Sequence, residues 1–352
     1  MKIIIGVHHF KEGGAQRVAS ILINNLSLKH EVYVVVVLDE VNYPLFFDRF
    51  KYIKLSDYNG LKLLRVPLRL FNYSRIIKKI SPDVIISFGN NFSIYTYLAI
   101  KLSNKKNIKF IASERTDPSK EPSNIILRYL RDLSYSNTDT LVCQTEQVVE
   151  YFKCKIRTKF VVIPNPISPH LPIWTGNNSK TIITACRIDI QKNLPMLVRA
   201  FAKLHVVHPE ISLNIYGEGP LKAEIEELIH NLKLQHVVML KGFSRNIHDV
   251  MSSSLAYVSS SNYEGISNSM LEALGIGLPT ICTDCPVGGA SMFIKNYRNG
   301  ILIPVGEEDA LYNALLDLVD NECLRYTLSI ESQKIREYIS ESKITEQWIS
   351  IL

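Results

Sequence analysis

The chain has 352 residues, of which 46% are hydrophobic and 21% charged, and its formal net charge is +6. A disordered chain would be poorer in apolar residues, so this composition indicates a folded protein, and the length favours two domains over one. No apolar run approaches the ~18–20 residues that span a bilayer, and the N-terminus lacks a secretory pattern. We therefore expect a soluble cytoplasmic protein.

Short apolar runs alternate with longer amphipathic ones along the first half of the chain. The apolar runs predict strands, and apolar residues at helical spacing predict the helices between them. Almost continuous hydrophobicity within the strands is typical of a parallel sheet covered on both faces, as in an α/β domain. Strands are predicted at 2–7, 31–38, 83–88, 109–113 and 140–145, and helices at 13–29 and 93–102.

A proline-rich segment at 161–178 interrupts this alternation, as a linker would. The alternation then starts again, which predicts a second α/β domain joined to the first near residue 166. Residues 325–352 follow as charge-rich helices. The predicted strands of the second half are 181–186, 211–217, 237–243, 255–260 and 279–283, and the helices are 193–208 and 221–234.

Charge is distributed unevenly between the two halves. Residues 1–166 carry 25 Lys and Arg against 14 Asp and Glu, whereas residues 167–352 carry 15 against 20. The basic half suits an anionic partner such as phosphate or a membrane surface. Within it, the stretch 60–80 holds six basic residues, no acidic residue and interspersed apolar residues. This stretch is either a basic amphipathic element lying on a membrane or a surface helix broken near Pro67.

Six cysteines are too few for a disulfide scaffold in a chain of this length. Cys282 and Cys285 have the CxxC spacing of redox and zinc sites, but there is no second CxxC and no nearby histidine pair. Because the pair directly follows a predicted strand, we interpret it as a strand end. No metal site is expected.

Glycines at strand-to-helix turns are the first candidate ligand-binding residues. Gly13 and Gly14 stand between the first strand and the first helix, where backbone amides attract phosphate. Gly217 and Gly219 follow another strand, but the third glycine of a dinucleotide-binding fingerprint is missing. The missing glycine disfavours a dehydrogenase. The P-loop pattern is also absent, which disfavours a P-loop NTPase.

Two glutamates, Glu264 and Glu272, flank a predicted helix start eight positions apart. The amides of Gly265, Ile266, Ser267 and Asn268 would suit a diphosphate. Glu272 could accept both hydroxyls of a ribose, and Glu264 could bind a sugar or stabilise positive charge at its anomeric carbon. The alternative is a capping arrangement with a solvated helix glutamate.

Two cations complete the candidate set. Arg187 follows a strand, and Lys192 precedes a helix five positions later. Paired cations at a strand end can neutralise a diphosphate leaving group without a metal. The alternative is an ordinary surface pair.

Taken in order, these segments resemble glycosyltransferase family 4, which has the two-domain GT-B fold. The resemblance extends over nearly the whole chain, and the E-x7-E segment is its most specific part. The matching segments are GGAQRV (13–18), ASERTDP (112–118), VIPNPI (162–167), ACRIDIQKN (185–193), IYGEGPL (215–221), LKGF (240–243), YEGISNSMLEALGIGLPTI (263–281) and NGILIPV (299–305).

The resemblance implies an α/β fold with two Rossmann-like parallel-sheet domains facing across a cleft. Residues 1–166 would bind the acceptor, residues 167–335 would bind the nucleotide sugar, and a C-terminal helix over 336–352 would return to the first domain. The implied catalytic residues are Glu264, Arg187 and Lys192. The implied donor-binding residues are Gly13, Gly14, Arg115, Gly217, Lys241, Gly242, Phe243, Gly265, Ile266, Ser267, Asn268 and Glu272.

The sequence departs from the family pattern at two positions. Arg115 stands where many members have a histidine, so we expect it to meet an anionic group instead. Met292 stands where relatives often have a glutamate. The form SERxDP is similar to the subgroup that builds lipid-linked oligosaccharides and surface polysaccharides.

By resemblance we expect a retaining, metal-independent glycosyltransferase without cofactor, acting from a UDP-linked hexose or N-acetylhexosamine. Its acceptor would be a saccharide, free or linked to polyprenyl diphosphate, with peripheral contact to the inner face of an anionic membrane. Two alternatives stay open, namely a nucleotide-sugar epimerase and a non-catalytic nucleotide-sugar-binding protein. A nucleic-acid partner is not expected, because the sequence has neither base-reading aromatic clusters nor a helix-turn-helix pattern.

Overall fold

A computed structural model of the chain describes residues 1–10, 13–38, 41, 45–55, 64–176 and 178–352. The chain divides into two compact units. The first is Met1–Pro166 together with Glu341–Leu352, and the second is Ile167–Ser340.

The described residues of the first unit form a seven-stranded sheet in the order β3-β2-β1-β4-β5-β6-β7, and its strand pairs are parallel. The strands are β1 (Lys2–Val7), β2 (Glu31–Val36), β3 (Lys51–Lys54), β4 (Val84–Phe88), β5 (Lys109–Ser113), β6 (Thr140–Cys143) and β7 (Lys159–Val162). The helices are α1 (Gly14–Leu26), α2 (Arg65–Ile80), α3 (Asn90–Ser103), α4 (Ile125–Tyr135), α5 (Glu146–Lys153) and, from the C-terminal segment, α12 (Glu341–Ile349).

The described residues of the second unit form a six-stranded sheet in the order β10-β9-β8-β11-β12-β13, also parallel. The strands are β8 (Thr181–Ala185), β9 (Ser212–Tyr216), β10 (Val238–Gly242), β11 (Ala256–Ser259), β12 (Thr280–Thr283) and β13 (Ile301–Ile303). The helices are α6 (Leu194–Val207), α7 (Lys222–Asn231), α8 (Ile247–Ser252), α9 (Asn268–Ile276), α10 (Glu308–Asp320) and α11 (Glu322–Ser332), with 3-10 turns at Ile190–Lys192 and Gln333–Glu337.

The central strands are buried because helices cover both faces of each sheet. Ile3, Ile4 and Ile5 in β1 are completely buried, and Ile3 and Ile5 pair with Val84 and Ile86 of the neighbouring β4. This confirms the prediction of two parallel-sheet α/β domains from continuous apolar runs. Since all strands of a sheet point the same way, the loops that follow them collect at one edge, where ligands bind in such folds.

Helix α2 contains most of the basic stretch 60–80, and its course at Pro67 differs from the expected break. The predicted break near Pro67 is wrong, because the helix runs unbroken from Arg65 to Ile80. Pro67 lies in the first turn, where the backbone N–H has no acceptor within the helix and a proline costs little. Residues 60–63 of the basic stretch lie outside the described residues.

The second unit extends to Ser340, past the predicted end at residue 335. The side chain of Arg336 accounts for the difference. Its Nε donates to the carbonyl of Gly275 at 2.5 Å, and its Nη2 donates to the carbonyls of Leu171 and Pro172 at 3.1 and 2.7 Å. The chain then enters α12, which packs against α1 of the first unit. Among the helices of the described residues, none has both the length and the apolar character needed to cross a bilayer.

Candidate active site

Two loops at the carboxyl edge of the second sheet are joined by hydrogen bonds. Strands β8 and β11 are neighbours, so the loops after them meet although they lie about 70 residues apart in the chain. Ser260 Oγ donates to the carbonyl of Lys192 at 2.8 Å. The backbone N–H of Asn262 donates to the carbonyl of Gln191 at 2.7 Å, and its side chain donates to that of Ile190 at 2.9 Å. The 3-10 turn is thereby fixed against the 260–264 loop.

At this junction Lys192 and Glu264 form an ion pair, with side chains only 16% and 19% exposed. Gln191 Nε2 donates to Glu264 Oε1 at 3.3 Å, and Ser261 Oγ donates to Oε2 at 3.4 Å. Desolvation alone would lower the pKa of Lys192, but the Glu264 carboxylate, together with Cys186 and Asp189, more than offsets it and raises that pKa above its ordinary value. The lysine is therefore a fixed cation at neutral pH.

Asp189 organises the loop that carries both predicted cations. Its carboxylate accepts the backbone N–H of Lys192 at 3.2 Å and the Nε of Arg187 at 2.5 Å. The Arg187 side chain is nevertheless 68% exposed, so it lies at the surface of the loop while Lys192 is enclosed. The two cations belong to one loop but have different surroundings.

Gly217 and Gly219 allow the loop after β9 to lie against the Arg187 loop. A Cβ atom at Gly217 would lie 1.9 Å from the Cys186 carbonyl oxygen, and one at Gly219 would lie 2.2 Å from that of Ile188. Gly217 also has φ +131°, which side-chain-bearing residues rarely adopt. These glycines serve a close approach of two backbones. Gly217 N–H donates to the Gly242 carbonyl at 2.9 Å, which joins β10 to the same cluster.

A small recess lies beside the Glu264 carboxylate, within the second unit. Gly265 helps to form it, and Gly289 packs so closely that a Cβ there would lie 1.7 Å from the Gly265 carbonyl oxygen. Exposed Met292 follows in the same loop, and nothing in the structure explains why it replaces a glutamate. The recess is lined by Ser259, Ser261, Glu264, Gly265, Ser267, Met270, Cys282, Thr283, Cys285 and Ala290.

Helix α9 begins directly at this recess. Ser267 is its N-cap, and the Ser267 Oγ accepts the backbone N–H of Met270 at 3.4 Å. The first turn of a helix points its amides out of the helix end and carries partial positive charge, which favours an anion there. The predicted segment Gly265–Asn268 therefore lies where a phosphate could bind next to Glu264.

Glu272 lies in the second turn of α9 and is 6% exposed. Its Oε2 lies 3.1 Å from Nε2 of His248, which α8 supplies. Sequence reasoning identified the glutamate and missed the histidine.

Three further predicted residues lie at the end of β10. Gly242 has φ +68° and ends the strand, Lys241 is exposed, and Phe243 exposes 63% of its surface. An exposed aromatic ring at the carboxyl edge is a suitable surface for a nucleotide base.

The remaining predicted residues belong to the first unit. Gly13 is the N-cap of α1 with φ +134°, and Gly14 is the first residue of that helix. Arg115 follows β5 and is almost fully buried.

Arg115 is surrounded by side chains of the first unit. Its Nε donates to Ser113 Oγ at 2.6 Å and its Nη1 to Asn165 Oδ1 at 2.9 Å. The guanidinium also lies over the rings of Phe88 and Trp348, at 5.4 and 5.5 Å from their centroids. Burial lowers the pKa of Arg115 to about 10, so it stays charged at neutral pH. These contacts tie the C-terminal helix α12 to the first sheet.

Cys282 and Cys285 are free thiols at the end of β12, which fits the interpretation of CxxC as a strand end. Burial raises the pKa of both, that of Cys285 to about 11, so neither is an activated nucleophile. Among the described residues there is no group of three His, Cys, Asp or Glu side chains that could hold a metal ion.

Sequence reasoning missed Asp189, Asn262, His248 and Gly289. Asp189 lies between the two predicted cations, and the Gly288-Gly289 dipeptide follows a strand, so both had a visible local signal. His248 and Asn262 had none, because their partners are 24 and 72 residues away and only the packing of α8 on α9 and β8 on β11 brings them together.

Known protein families match both units. The model described as Glycosyltransferase Family 4 matches residues 12–171, and that described as Glycosyl transferases group 1 matches residues 175–341. Among curated proteins, an N-acetylgalactosamine-N,N'-diacetylbacillosaminyl-diphospho-undecaprenol 4-alpha-N-acetylgalactosaminyltransferase of Campylobacter jejuni is 26% identical. The alignment covers 100% of this chain and 99% of that protein.

Solved structures give the same architecture. HepE of Anabaena, in complex with UDP and glucose, superposes with a TM-score of 0.86 at 16% identity, over 99% of this chain and 98% of that one. Sucrose-phosphate synthase from Thermosynechococcus elongatus superposes with a TM-score of 0.85 at 17% identity, over 99% and 98%. At these identities the likeness establishes the GT-B fold. The two family matches, which together extend over most of the chain, show that the chain belongs to the glycosyltransferases that join a family 4 N-terminal domain to a group 1 C-terminal domain.

Proposed function

We propose that this glycosyltransferase moves a hexose or N-acetylhexosamine from a UDP-sugar to a lipid-linked saccharide, with retention of configuration and without a metal. The observation that carries the proposal is the enclosed pair of Lys192 and Glu264 beside the N-terminus of α9. It places a fixed cation, a carboxylate and helix amides together, which is what a sugar joined to a diphosphate requires.

The reaction breaks the bond between the sugar C1 and the diphosphate oxygen, and the electron pair leaves with the diphosphate. Lys192, with Arg187 and the amides of α9, stabilises the negative charge that develops there. The acceptor hydroxyl oxygen bonds to C1 on the same face, and its proton passes to the departing phosphate oxygen. Glu264 holds the sugar and stabilises the positive charge at C1. In this scheme the protein's cations supply the charge that a metal supplies elsewhere.

A UDP donor is supported by position and by comparison. Glu272 is a buried carboxylate one helical turn beyond the proposed phosphate site, and a carboxylate can accept hydrogen bonds from the hydroxyls of a ribose. Phe243 offers an exposed ring for the base. The solved structures of the Anabaena relative contain UDP, UDP and glucose, or UDP-glucose.

A lipid-linked acceptor is supported by the name of the Campylobacter relative, which acts on a saccharide joined to undecaprenyl diphosphate. Such an acceptor is anionic and lies in a membrane. The N-terminal domain, which we assign to the acceptor, carries the excess of Lys and Arg found in residues 1–166. Opposite charge favours this pairing.

One face of the first unit suits a membrane surface. Right-handed crossovers place α2, α3 and α4 on the same side of the sheet, and neighbouring helices of this set pack together. Apolar side chains are exposed on α2 at Val66 and Phe71 and on α4 at Ile125, Ile126 and Tyr129. Helix α2 adds exposed Arg75, Lys78 and Lys79 and no acidic residue. Basic and apolar side chains on one face are typical of peripheral membrane binding.

A screen of nucleotide sugars tests the reaction. The enzyme is incubated in EDTA with UDP-, GDP- and ADP-linked sugars, and the released nucleotide is identified by mass spectrometry. We expect slow hydrolysis of a UDP-sugar. The change Glu264→Gln should abolish this hydrolysis, whereas the change Glu226→Gln, at an exposed residue, should leave it intact. Release that needs a divalent metal, or that prefers another nucleotide, contradicts the proposal.

Vesicle sedimentation tests the membrane proposal separately. The protein should sediment with vesicles containing anionic lipid and stay in solution with neutral ones. The double change Ile125→Ser and Ile126→Ser should weaken sedimentation, whereas Val206→Ser, which alters an exposed apolar side chain on α6, should not. Equal binding to both kinds of vesicle, or none, contradicts it.

A further inference from the structure

Glu272 is a buried carboxylate within a buried stretch of α9. Its neighbours on α9, from Met270 to Ile276, are all buried, and Glu272 itself is 6% exposed. A buried carboxylate is costly unless donors hold it, and the donors also fix the direction in which its oxygens point. The groups that hold Glu272 therefore decide how it presents itself to a ligand.

His248 is such a group, and it comes from a different element. It is the second residue of α8, which packs on α9, and its Nε2 lies 3.1 Å from Glu272 Oε2. The imidazole is 32% exposed, whereas the Glu272 side chain is 9% exposed. With the proton on Nε2, in the neutral or the charged form, it donates to Glu272.

We propose that His248 is the positioning residue for Glu272, and that it thereby determines how strongly the enzyme distinguishes a ribonucleotide from its deoxy analogue. This rests on the proposed function, in which Glu272 accepts the ribose hydroxyls. A carboxylate held in one orientation accepts a hydroxyl hydrogen bond with good geometry, whereas one that rotates loses that advantage. Without His248 the carboxylate remains, but its contribution to recognition of the ribose falls.

The test combines changes in the protein with changes in the nucleotide, so that the effect of each can be compared with and without the other. Dissociation constants are measured by calorimetry for UDP, 2′-deoxy-UDP and 3′-deoxy-UDP, with the wild type, His248→Ala, His248→Gln, Glu272→Gln and the exposed-site control His236→Ala. A charge-assisted hydrogen bond is worth ~10- to 100-fold in affinity, so the wild type should bind UDP about that much more tightly than at least one deoxy analogue.

The quantity to compare is the dissociation constant of the deoxy analogue divided by that of UDP. We expect His248→Ala to reduce this ratio to about 3 or less, and Glu272→Gln to reduce it similarly. His248→Gln, whose amide can donate from a similar position, should restore part of it, and His236→Ala should leave it unchanged. Turnover of the donor by His248→Ala should show a raised KM with a kcat close to that of the wild type, because the reacting atoms are not touched.

The outcomes separate the two claims. If Glu272→Gln removes the ratio and His248→Ala keeps it, the role of His248 is refuted while the ribose assignment stands. If Glu272→Gln keeps the ratio, or the wild type shows none, the ribose assignment fails and the inference fails with it. If His248→Gln behaves like His248→Ala with an unchanged melting temperature, a donor at this position is not what matters, which also refutes the proposal.

Discussion

The ammonium of Lys192 and the carboxylate of Glu264 form an ion pair although the residues are 72 positions apart. The pairing of β8 with β11 and the hydrogen bonds of Ser260 and Asn262 bring the two loops together. In the proposed reaction these groups bind adjacent parts of the donor, the lysine its diphosphate and the glutamate its sugar. The free enzyme therefore already holds both groups close to their working positions.

Removing the cation should lower turnover much more than it disturbs the fold. Lys192→Met should reduce kcat ~10²- to 10³-fold, because a charge-assisted contact to the leaving group is lost. Lys203→Met is the matched control, since that lysine pairs with Glu308 and Asp309 on the surface of the same unit. Turnover of Lys192→Met within a factor of three of the control would remove Lys192 from the mechanism.

The stabilisation that Lys192 provides should depend on pH. The pKa of Lys192 is raised in the folded protein above the ordinary 10.5, so the stabilisation by the pair is fully present below about pH 10.5. It is lost as the pH rises through the higher folded-state value. The difference in unfolding free energy between wild type and Lys192→Met should be constant from about pH 7 to pH 10 and shrink above that. Urea titrations measure it, and a difference that grows with alkaline pH would show the wrong sign.

Gly217 should be required for the geometry of the Arg187 loop. Gly217→Ala introduces both a strained φ of +131° and a clash with the Cys186 carbonyl oxygen. The control Gly306 also has a positive φ, of +83°, but no atom lies within 4 Å of a Cβ placed there. We expect Gly306→Ala to cost about 1–2 kcal/mol with normal activity. Gly217→Ala should cost at least ~2 kcal/mol more and reduce turnover as well. Equal unfolding free energies and equal turnover for the two variants would contradict this role.

Arg115 should stabilise the first unit. Arg115→Ala loses hydrogen bonds to Ser113 and Asn165 and the contact with the Phe88 and Trp348 rings, for a cost of about 2–4 kcal/mol. Exposed Arg157→Ala should cost less than about 0.5 kcal/mol. Chemical denaturation monitored by tryptophan fluorescence compares them, and an Arg115→Ala protein as stable as the control would show that this cluster does not hold α12.

Five of the six thiols should fall into two classes of reactivity. Cys154 and Cys323 are exposed, whereas Cys143, Cys282 and Cys285 are buried with raised pKa values. Iodoacetamide at about pH 8 should label the exposed pair rapidly and the buried three only after unfolding, because the thiolate is the reactive form. Peptide mass spectrometry locates the label. Fast modification of Cys285 in the native protein would reopen a redox role for the CxxC pair.

Much of the fold was predictable because its strands are continuous apolar runs. The strand predicted at 2–7 is β1, residue for residue. The edge strands β3, β7 and β13 were missed, whereas β10, at the other edge of the second sheet, was predicted. Strand β3 has the sequence KYIK with a lysine at each end, and among the described strands it pairs with β2 alone. Helix α4 was missed as well, because its apolar residues Ile125, Ile126 and Tyr129 face solvent and give no buried stripe.

The candidate site was predictable in part for a similar reason. Glu264, Glu272 and Lys192 lie in local patterns, namely E-x7-E and a loop between a strand and a helix. Which of them touch was not predictable, because the Lys192–Glu264 contact depends on strand order. The histidine beside Glu272 depends on the packing of α8 on α9. The contacts of Arg115 with rings of β4 and α12 were not predictable either, because Phe88 and Trp348 lie far from it in the sequence.

The stereochemistry of donor cleavage tests the central claim most directly. Proton NMR follows, from the first minutes, the sugar released from an α-linked UDP-sugar by the enzyme in EDTA. If transfer occurs on the same face, the α anomer appears first and the β anomer grows in only at the rate of spontaneous mutarotation. Initial release of the β anomer would contradict same-face transfer at the Lys192–Glu264 pair.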